Sequence, residues 1–198
     1  MTIELEPIPT ATFAVVLICW FTFFVPIGRR RNQGKGPRQV RQRRSWIGIG
    51  LQGLGFGIVW GVHRPYFSSL VHAGPLVDVA IGVVTATIAI ASVVWASSAI
   101  GTLGKEWSLE ARLVEGHRLV TTGPYARVRH PIYTAMLGSL VATGLAVGHP
   151  VAIPAALVPF AIGTLVRVRL EERLLRGAFG AEYDAYAARV PAVLPRLG

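Results

Sequence analysis

Residues 121–140 read TTGPYARVRHPIYTAMLGSL, and the fold turns on how this stretch is taken. A Gly123-Pro124 turn leads through Tyr125, Arg127, Arg129 and His130 to Pro131, after which the residues become apolar. Proline is tolerated in the first turn of a helix, where its missing N–H has no intrahelical partner to lose. The stretch therefore predicts a helix that begins at Pro131, enters apolar surroundings and carries a crowd of polar groups at its mouth.

Working outward, the rest of the chain supplies those surroundings. Its 198 residues are 52% hydrophobic and only 15% charged, with a mean hydropathy of +0.50, against roughly 25% charged residues in an ordinary soluble domain. Apolar segments fall at about 9–27, 46–62, 76–100, 131–148 and 150–166. A bilayer core takes ~20 helical residues, so the third spans easily and the last two borrow from their flanks. The expectation is an all-α integral membrane protein of about five transmembrane helices. Gly148-His149-Pro150 breaks the last two into a hairpin. Gly53, Gly57 and Gly61 recur every four residues in the second segment, a spacing that lets a neighbouring helix come close. The first apolar run follows Glu4 and Glu6 and precedes its arginines, the reverse of a signal peptide, so it reads as a retained anchor. Cys19 stands alone, which excludes a disulfide framework.

Charge gives an orientation. With the amino terminus outside, five spans leave Arg29–Arg44 with eight Lys/Arg, Lys105–Arg129 with five and Arg167–Arg196 with six on the cytosolic side, and only Arg64 outside. That division fits the positive-inside rule. It also accounts for the net charge of +10 without nucleic acid, and the basic stretch 29–44 would attract anionic lipid. His63, His72, His117 and His149 lack ligand spacing, so no metal site is expected.

Two polar clusters then return to the same side. The connector KEWSLEARLVEGHRLVTTGPYARVRH is long for a link between helices. Backbone donors at the start of the fourth helix, with Arg129 and His130, offer a corner for a carboxylate or phosphate. The alternative is that Arg127, Arg129 and His130 mark the membrane boundary and Tyr125 and Tyr133 belong to an aromatic belt. Trp107 has the same two readings. After the fifth segment, RVRLEERLLRGAFGAEYDAYAARVP pairs Arg167 with Glu171 and Glu172 with Arg176 at i, i+4. Phe179, Tyr183 and Tyr186 share one face of a tail helix. Two adjacent carboxylates beyond a membrane helix do nothing for topology, so they call for another role.

Taken together, LVTTGPYARVRHPIY and EERLLRGAFGAEYDAYAARVPAVLPRL resemble the isoprenylcysteine carboxyl methyltransferase family, within the integral membrane methyltransferases that include phospholipid N-methyltransferases. The shared elements are Arg129-His130-Pro131-x-Tyr133, the Glu171-Glu172 pair and Phe179-Gly180-x-x-Tyr183-x-x-Tyr186, and the likeness covers about residues 117–197. It divides the chain into helices 1–3 (1–100) and a catalytic region (101–198).

The resemblance implies S-adenosyl-L-methionine as methyl donor, with S-adenosyl-L-homocysteine as product, in a cytosolic pocket between the loop before helix 4 and the tail after helix 5. By position, Leu119, Val120, Thr121 and Gly123 would line the adenosyl group with Tyr125 and Arg129 nearby. His130 and Tyr133 would hold the methionine portion, and Glu171 and Glu172 its amino or ribose groups. Arg167 would orient the acceptor, with Glu171 as the other catalytic residue. The acceptor would be a lipophilic small molecule or lipid bearing a carboxylate, amine or thiol. The chain is shorter than eukaryotic members, and its arginine-, alanine- and glycine-rich composition suggests a bacterial inner membrane, so a prenylated protein is not carried over as substrate. A related group of NADPH-dependent membrane reductases, for which Arg173 or Arg176 would hold a phosphate, and a non-catalytic scaffold are the competing readings.

Overall fold

The computed structural model describes residues 6–30, 39–41, 45–65, 67–71, 73–104, 112–114 and 118–195. Among the described residues there are six α-helices, of which the first five follow the apolar segments: α1 (Pro7–Arg30), α2 (Ser45–Gly61), α3 (Pro75–Leu103), α4 (Pro131–Val147), α5 (Ala152–Phe179) and α6 (Ala181–Arg189). Pro7–Val25 within α1, together with α3 and α5, is long and apolar enough to cross a membrane by length and composition, and α4 is a shorter apolar helix of 17 residues. Large apolar side chains such as Phe21, Leu76, Val83 and Val158 face outward. In water such a surface would be a liability. On an all-α membrane protein it is the face toward lipid.

The fifth apolar segment is the start of a longer helix. α5 continues through the charged stretch to Phe179 and ends only where Gly180 adopts φ +51°, a left-handed conformation that glycine takes without a Cβ penalty. The predicted tail helix is thereby split: Phe179 closes α5, while Tyr183 and Tyr186 lie buried on α6.

Inside, the helices are held by small residues and a few buried polar pairs, as is usual where lipid gives helices no hydrophobic reason to associate. Trp20 Nε1 donates to Thr143 Oγ1 at 2.9 Å and joins α1 to α4. Gln52 Nε2 donates to Thr164 Oγ1 at 3.0 Å and joins α2 to α5. The glycine spacing in α2 works differently from expectation. Gly53, Gly57 and Gly61 have nothing within 4 Å of where a Cβ would be, whereas Gly48 and Gly55 lie against α5. The periodicity is helical on both faces, and tertiary packing chose the other one.

Two connections position the ends of the bundle. The α4–α5 hairpin forms as expected, turned by a hydrogen bond from Ala152 N to His149 O at 2.8 Å. Residues 62–64 lie along it, bridging His63 to Gly148, and the Arg64 guanidinium donates to the carbonyls of Leu145, Ala146 and Gly148 at 2.7–3.0 Å. At the other end of the bundle, a two-stranded antiparallel ladder pairs β1 (Gln39–Arg41) with β2 (Arg112–Val114). It ties the basic connector before α2 to the one before α4, a pairing that the all-helical reading lacks. His72, Trp107, His117 and most of residues 31–44 lie outside the described residues.

Candidate functional site

The site is built where α4 begins, where α5 nears its end, and where the tail beyond α6 crosses both. Gly123–Ala126 forms a single 3-10 turn, with Gly123 at φ +60°. It buries Pro124 and Tyr125 and delivers Arg129 and His130 to the head of α4. Pro131 takes the first helical position, as its fixed φ favours.

The two clusters meet. His130 is 6% exposed, and its Nδ1 lies 3.4 Å from Glu171 Oε2 while its Nε2 lies 3.4 Å from Glu172 Oε1. One turn along α4, the Tyr133 hydroxyl donates to Glu171 Oε1, and the Tyr133 ring stacks on His130 with centroids 5.7 Å apart. Arg167 sits one turn before Glu171 on α5, with Nη2 3.5 Å from its carboxylate and the guanidinium carbon 5.1 Å above the Tyr133 ring. Glu171 thus gathers a histidine, a tyrosine and an arginine, yet its side chain keeps 24% of its surface open.

Glu172 is more enclosed. It accepts from Arg129 Nε at 3.0 Å and Nη2 at 2.7 Å, and Arg176 approaches within 3.4 Å. Arg176 also donates to Asp184 at 3.1 Å and lies over the Tyr183 ring. Burial alone would keep the His130 imidazole neutral. The two carboxylates facing its two nitrogens outweigh that and raise its pKa above the usual histidine value. Burial and the nearby Glu171 charge push the Tyr125 phenol well up, so it stays protonated. Tyr186 is pushed up to about 12, chiefly by burial.

The tail changes one expectation. The anion corner is expected at the start of α4 with Arg129 and His130, and the backbone N–H groups of these two residues donate to Pro191 O and Ala192 O, each at 2.8 Å. The chain's own tail meets them in place of an outside anion. The remaining Arg129 nitrogen, Nη1, donates to Ala187 O at 3.0 Å and to Val190 O. The Thr134 hydroxyl donates to Val193 O, and Tyr186 donates its hydroxyl to Tyr125 O at 2.7 Å. Arg129 therefore fastens three segments, the loop before α4, Glu172 on α5, and the tail. Sequence reading missed Thr134 and the carbonyls of 187–193 because backbone acceptors carry no sequence signal; the Tyr183/Tyr186 spacing gave the only hint.

The other expected site residues fall around this centre. Leu119 and Val120 are partly buried, and Thr121 and Gly123 are exposed on the approach to the 3-10 turn. A Cβ at Gly123 would lie 3.0 Å from Thr102 Oγ1, so this turn packs on the end of α3. Arg173 is exposed. Among the described residues no group of three or more His, Cys, Asp or Glu side chains could hold a metal ion.

Residues 83–177, from within α3 to near the end of α5, match the Isoprenylcysteine carboxyl methyltransferase (ICMT) family. Protein-S-isoprenylcysteine O-methyltransferase B of Arabidopsis thaliana is 35% identical over 100 residues, 50% of this chain and 51% of that protein. The cobalt-zinc-cadmium resistance protein CzcN of Cupriavidus metallidurans is 37% identical over 102 residues, 50% of this chain and 45% of its own length. The chain spans about half the length of the curated relatives it matches. Residues 83–177, the part of this membrane protein that is similar to the isoprenylcysteine carboxyl methyltransferase family, carry the whole Arg129–Tyr133 and Arg167–Glu172 constellation.

Proposed function

We propose that the chain is an S-adenosyl-L-methionine-dependent membrane methyltransferase that modifies a lipophilic acceptor, most simply at a carboxylate. One observation supports this above the rest: His130 and Glu171, from segments 41 residues apart, stand 3.4 Å from one another at one end of the bundle with Arg167 beside them. The donor set fits the methionine portion of the cofactor. Its ammonium needs a carboxylate with an open edge, which Glu171 would offer, and its carboxylate needs a hydrogen-bonding partner, which His130 would supply. Leu119, Val120, Thr121, Gly123 and Tyr125 would line the adenosyl group. Arg129 and Glu172 contribute by holding the wall of the pocket.

The cofactor supplies an electrophilic methyl group on a sulfonium. The protein has to align acceptor and methyl and keep water out. A carboxylate acceptor is already ionised: its oxygen forms the C–O bond as the S–C bond breaks, the electron pair stays on sulfur, and no proton moves. Arg167 would grip that carboxylate through a forked pair. An amine or thiol would have to lose a proton, and His130, whose two ring nitrogens already face carboxylates, is poorly placed to take it. Glu171 would then be the base. The carboxylate reading needs fewer steps from these residues.

Membrane residence suits this chemistry, because an apolar acceptor enters from the bilayer while the charged nucleotide comes from the aqueous side. The basic connectors suit a cytosolic position for that side, in a bacterial inner membrane, where anionic lipid would meet residues 29–44. Titrating detergent-solubilised protein with S-adenosylhomocysteine and separately with NADPH tests the reading. Binding of the first alone is expected. Binding of NADPH alone would favour a reductase, for which Arg176 is poorly placed because two carboxylates already hold it. Binding of neither would leave a scaffold.

A further inference from the structure

We propose that Gly48 is a positioning residue for Arg167, so that α2 sets where the acceptor-binding guanidinium stands. Gly48 lies outside residues 83–177, in the half of the chain that no family motif reaches. The proposal rests on the methyltransferase reading.

α2 and α5 run antiparallel, since Gly48 meets Gly163 and Arg167 while Gly55, two turns on, meets Ala156 and Phe160. At Gly48 the two backbones touch with nothing between them. A Cβ built there would lie 2.8 Å from Gly163 O, and one built at Gly163 would lie 2.6 Å from Gly48 O. The notch is occupied by the Arg167 stem: the same Cβ at Gly48 would lie 2.4 Å from Arg167 Cγ and 3.2 Å from its Cδ. Cγ is near the root of the side chain, so Arg167 cannot yield by bending its tip. It would have to change rotamer at its base, and the guanidinium would leave its place over Tyr133 and beside Glu171.

Gly55 supplies an internal comparison. A Cβ there meets the α5 backbone as closely, 2.9 Å from Ala156 O against 2.8 Å from Gly163 O at Gly48, on the same face of the same helix, but its side-chain neighbour is Phe160 Cβ at 3.0 Å and no charged group. If both glycines served packing alone, filling either would have the same consequence at the site. Gly50, Gly53 and Gly57 have open space around them, so glycine content alone does not single out position 48.

The test uses membranes carrying the full chain and measures transfer of labelled methyl from S-adenosyl-[methyl-3H]methionine into lipid-extractable product. S-adenosylhomocysteine affinity and melting temperature are measured in detergent on the same variants. Gly48→Ala and Gly55→Ala should both melt lower. Gly48→Ala should lose tenfold or more in transfer rate with S-adenosylhomocysteine affinity within about twofold of Gly55→Ala, which keeps its transfer rate. In an Arg167→Ala background, Gly48→Ala should add no further loss. Equal transfer losses in the two glycine variants, an unchanged rate in Gly48→Ala, or an additive loss without Arg167 would each overturn the proposal. If Gly48→Ala fails to accumulate, Gly48→Ala/Arg167→Ala should accumulate to a higher level, because the closer collision, with the Arg167 stem, is gone and only the contact with Gly163 O remains; equal failure of both would overturn it too. A wild-type protein that neither transfers label nor binds S-adenosylhomocysteine would defeat the methyltransferase reading, and this inference with it.

Discussion

Helix α4 is closed by an arginine at each end, and the two are partnered in opposite ways. At its carboxyl end, Arg64 donates to the carbonyls of Leu145, Ala146 and Gly148, and to Ser68. A cation there satisfies orphan carbonyls and suits the negative end of the helix dipole. At the amino end, Arg129 and His130 stand where the dipole disfavours positive charge, and they are tolerated because α5 brings Glu171 and Glu172 against them. The first arrangement is sufficient for stability on its own terms. The second sets charges against a helix dipole and then needs counter-charges, which is the kind of local conflict expected at a functional site. One end is a clasp. The other keeps a carboxylate, Glu171, partly open to a ligand.

Removing the counter-charge should have the largest effect. Glu172→Ala takes from Arg129 and His130 the carboxylate they share, and breaking a buried pair in this way costs about 3 kcal/mol or more. Thermal unfolding in detergent should show it as the steepest loss among single variants of the network. Arg64→Ala should cost about 2 kcal/mol, from lost hydrogen bonds and exposed helix-end carbonyls. Its S-adenosylhomocysteine affinity should stay at the wild-type value, which would separate clasp from site.

Smaller effects sharpen the division. Tyr186→Phe removes one hydrogen bond to the Tyr125 carbonyl and should cost about 1 kcal/mol, read as a modest fall in melting temperature. The smallest expected effect is a pH step. His130 has a raised pKa in the folded protein, so the stability from its paired carboxylates is complete below the unfolded value of about 6.5. It is lost as pH rises through the higher native value. A melting-temperature profile across that range should fall for the wild type and flatten in His130→Asn. The same slope in both would show that other groups carry the dependence.

Much of this layout is legible in the sequence because it rests on local signals. Apolar lengths gave the helices that became α1 to α5, Pro131 gave the start of α4, and i, i+4 spacing gave the Arg167–Glu171 and Glu172–Arg176 pairs, which stand at 3.5 and 3.4 Å. The meeting of His130 with Glu171 came from a short hairpin returning both clusters to one end. What escaped had no local signal. The α2 glycines point the same period at two faces, and only packing against α5 selects Gly48 and Gly55 over Gly53 and Gly57. Gly180 breaks the tail from α5 through a backbone angle, and the carbonyls of 187–193 bind Arg129 and Thr134 whatever their side chains. The β1–β2 ladder joins residues more than seventy positions apart, a separation at which no spacing rule operates.

On the proposed reading, the methyl donor sits on the open carboxylate of Glu171 at the amino end of α4. Calorimetric titration of S-adenosylhomocysteine into wild-type, Arg64→Ala and Glu171→Ala proteins tests it most directly. Equal affinity in the first two and a loss of tenfold or more in Glu171→Ala, ~1.4 kcal/mol, is the outcome the geometry predicts. The same affinity in all three, or a loss confined to Arg64→Ala, would mean that the donor binds elsewhere.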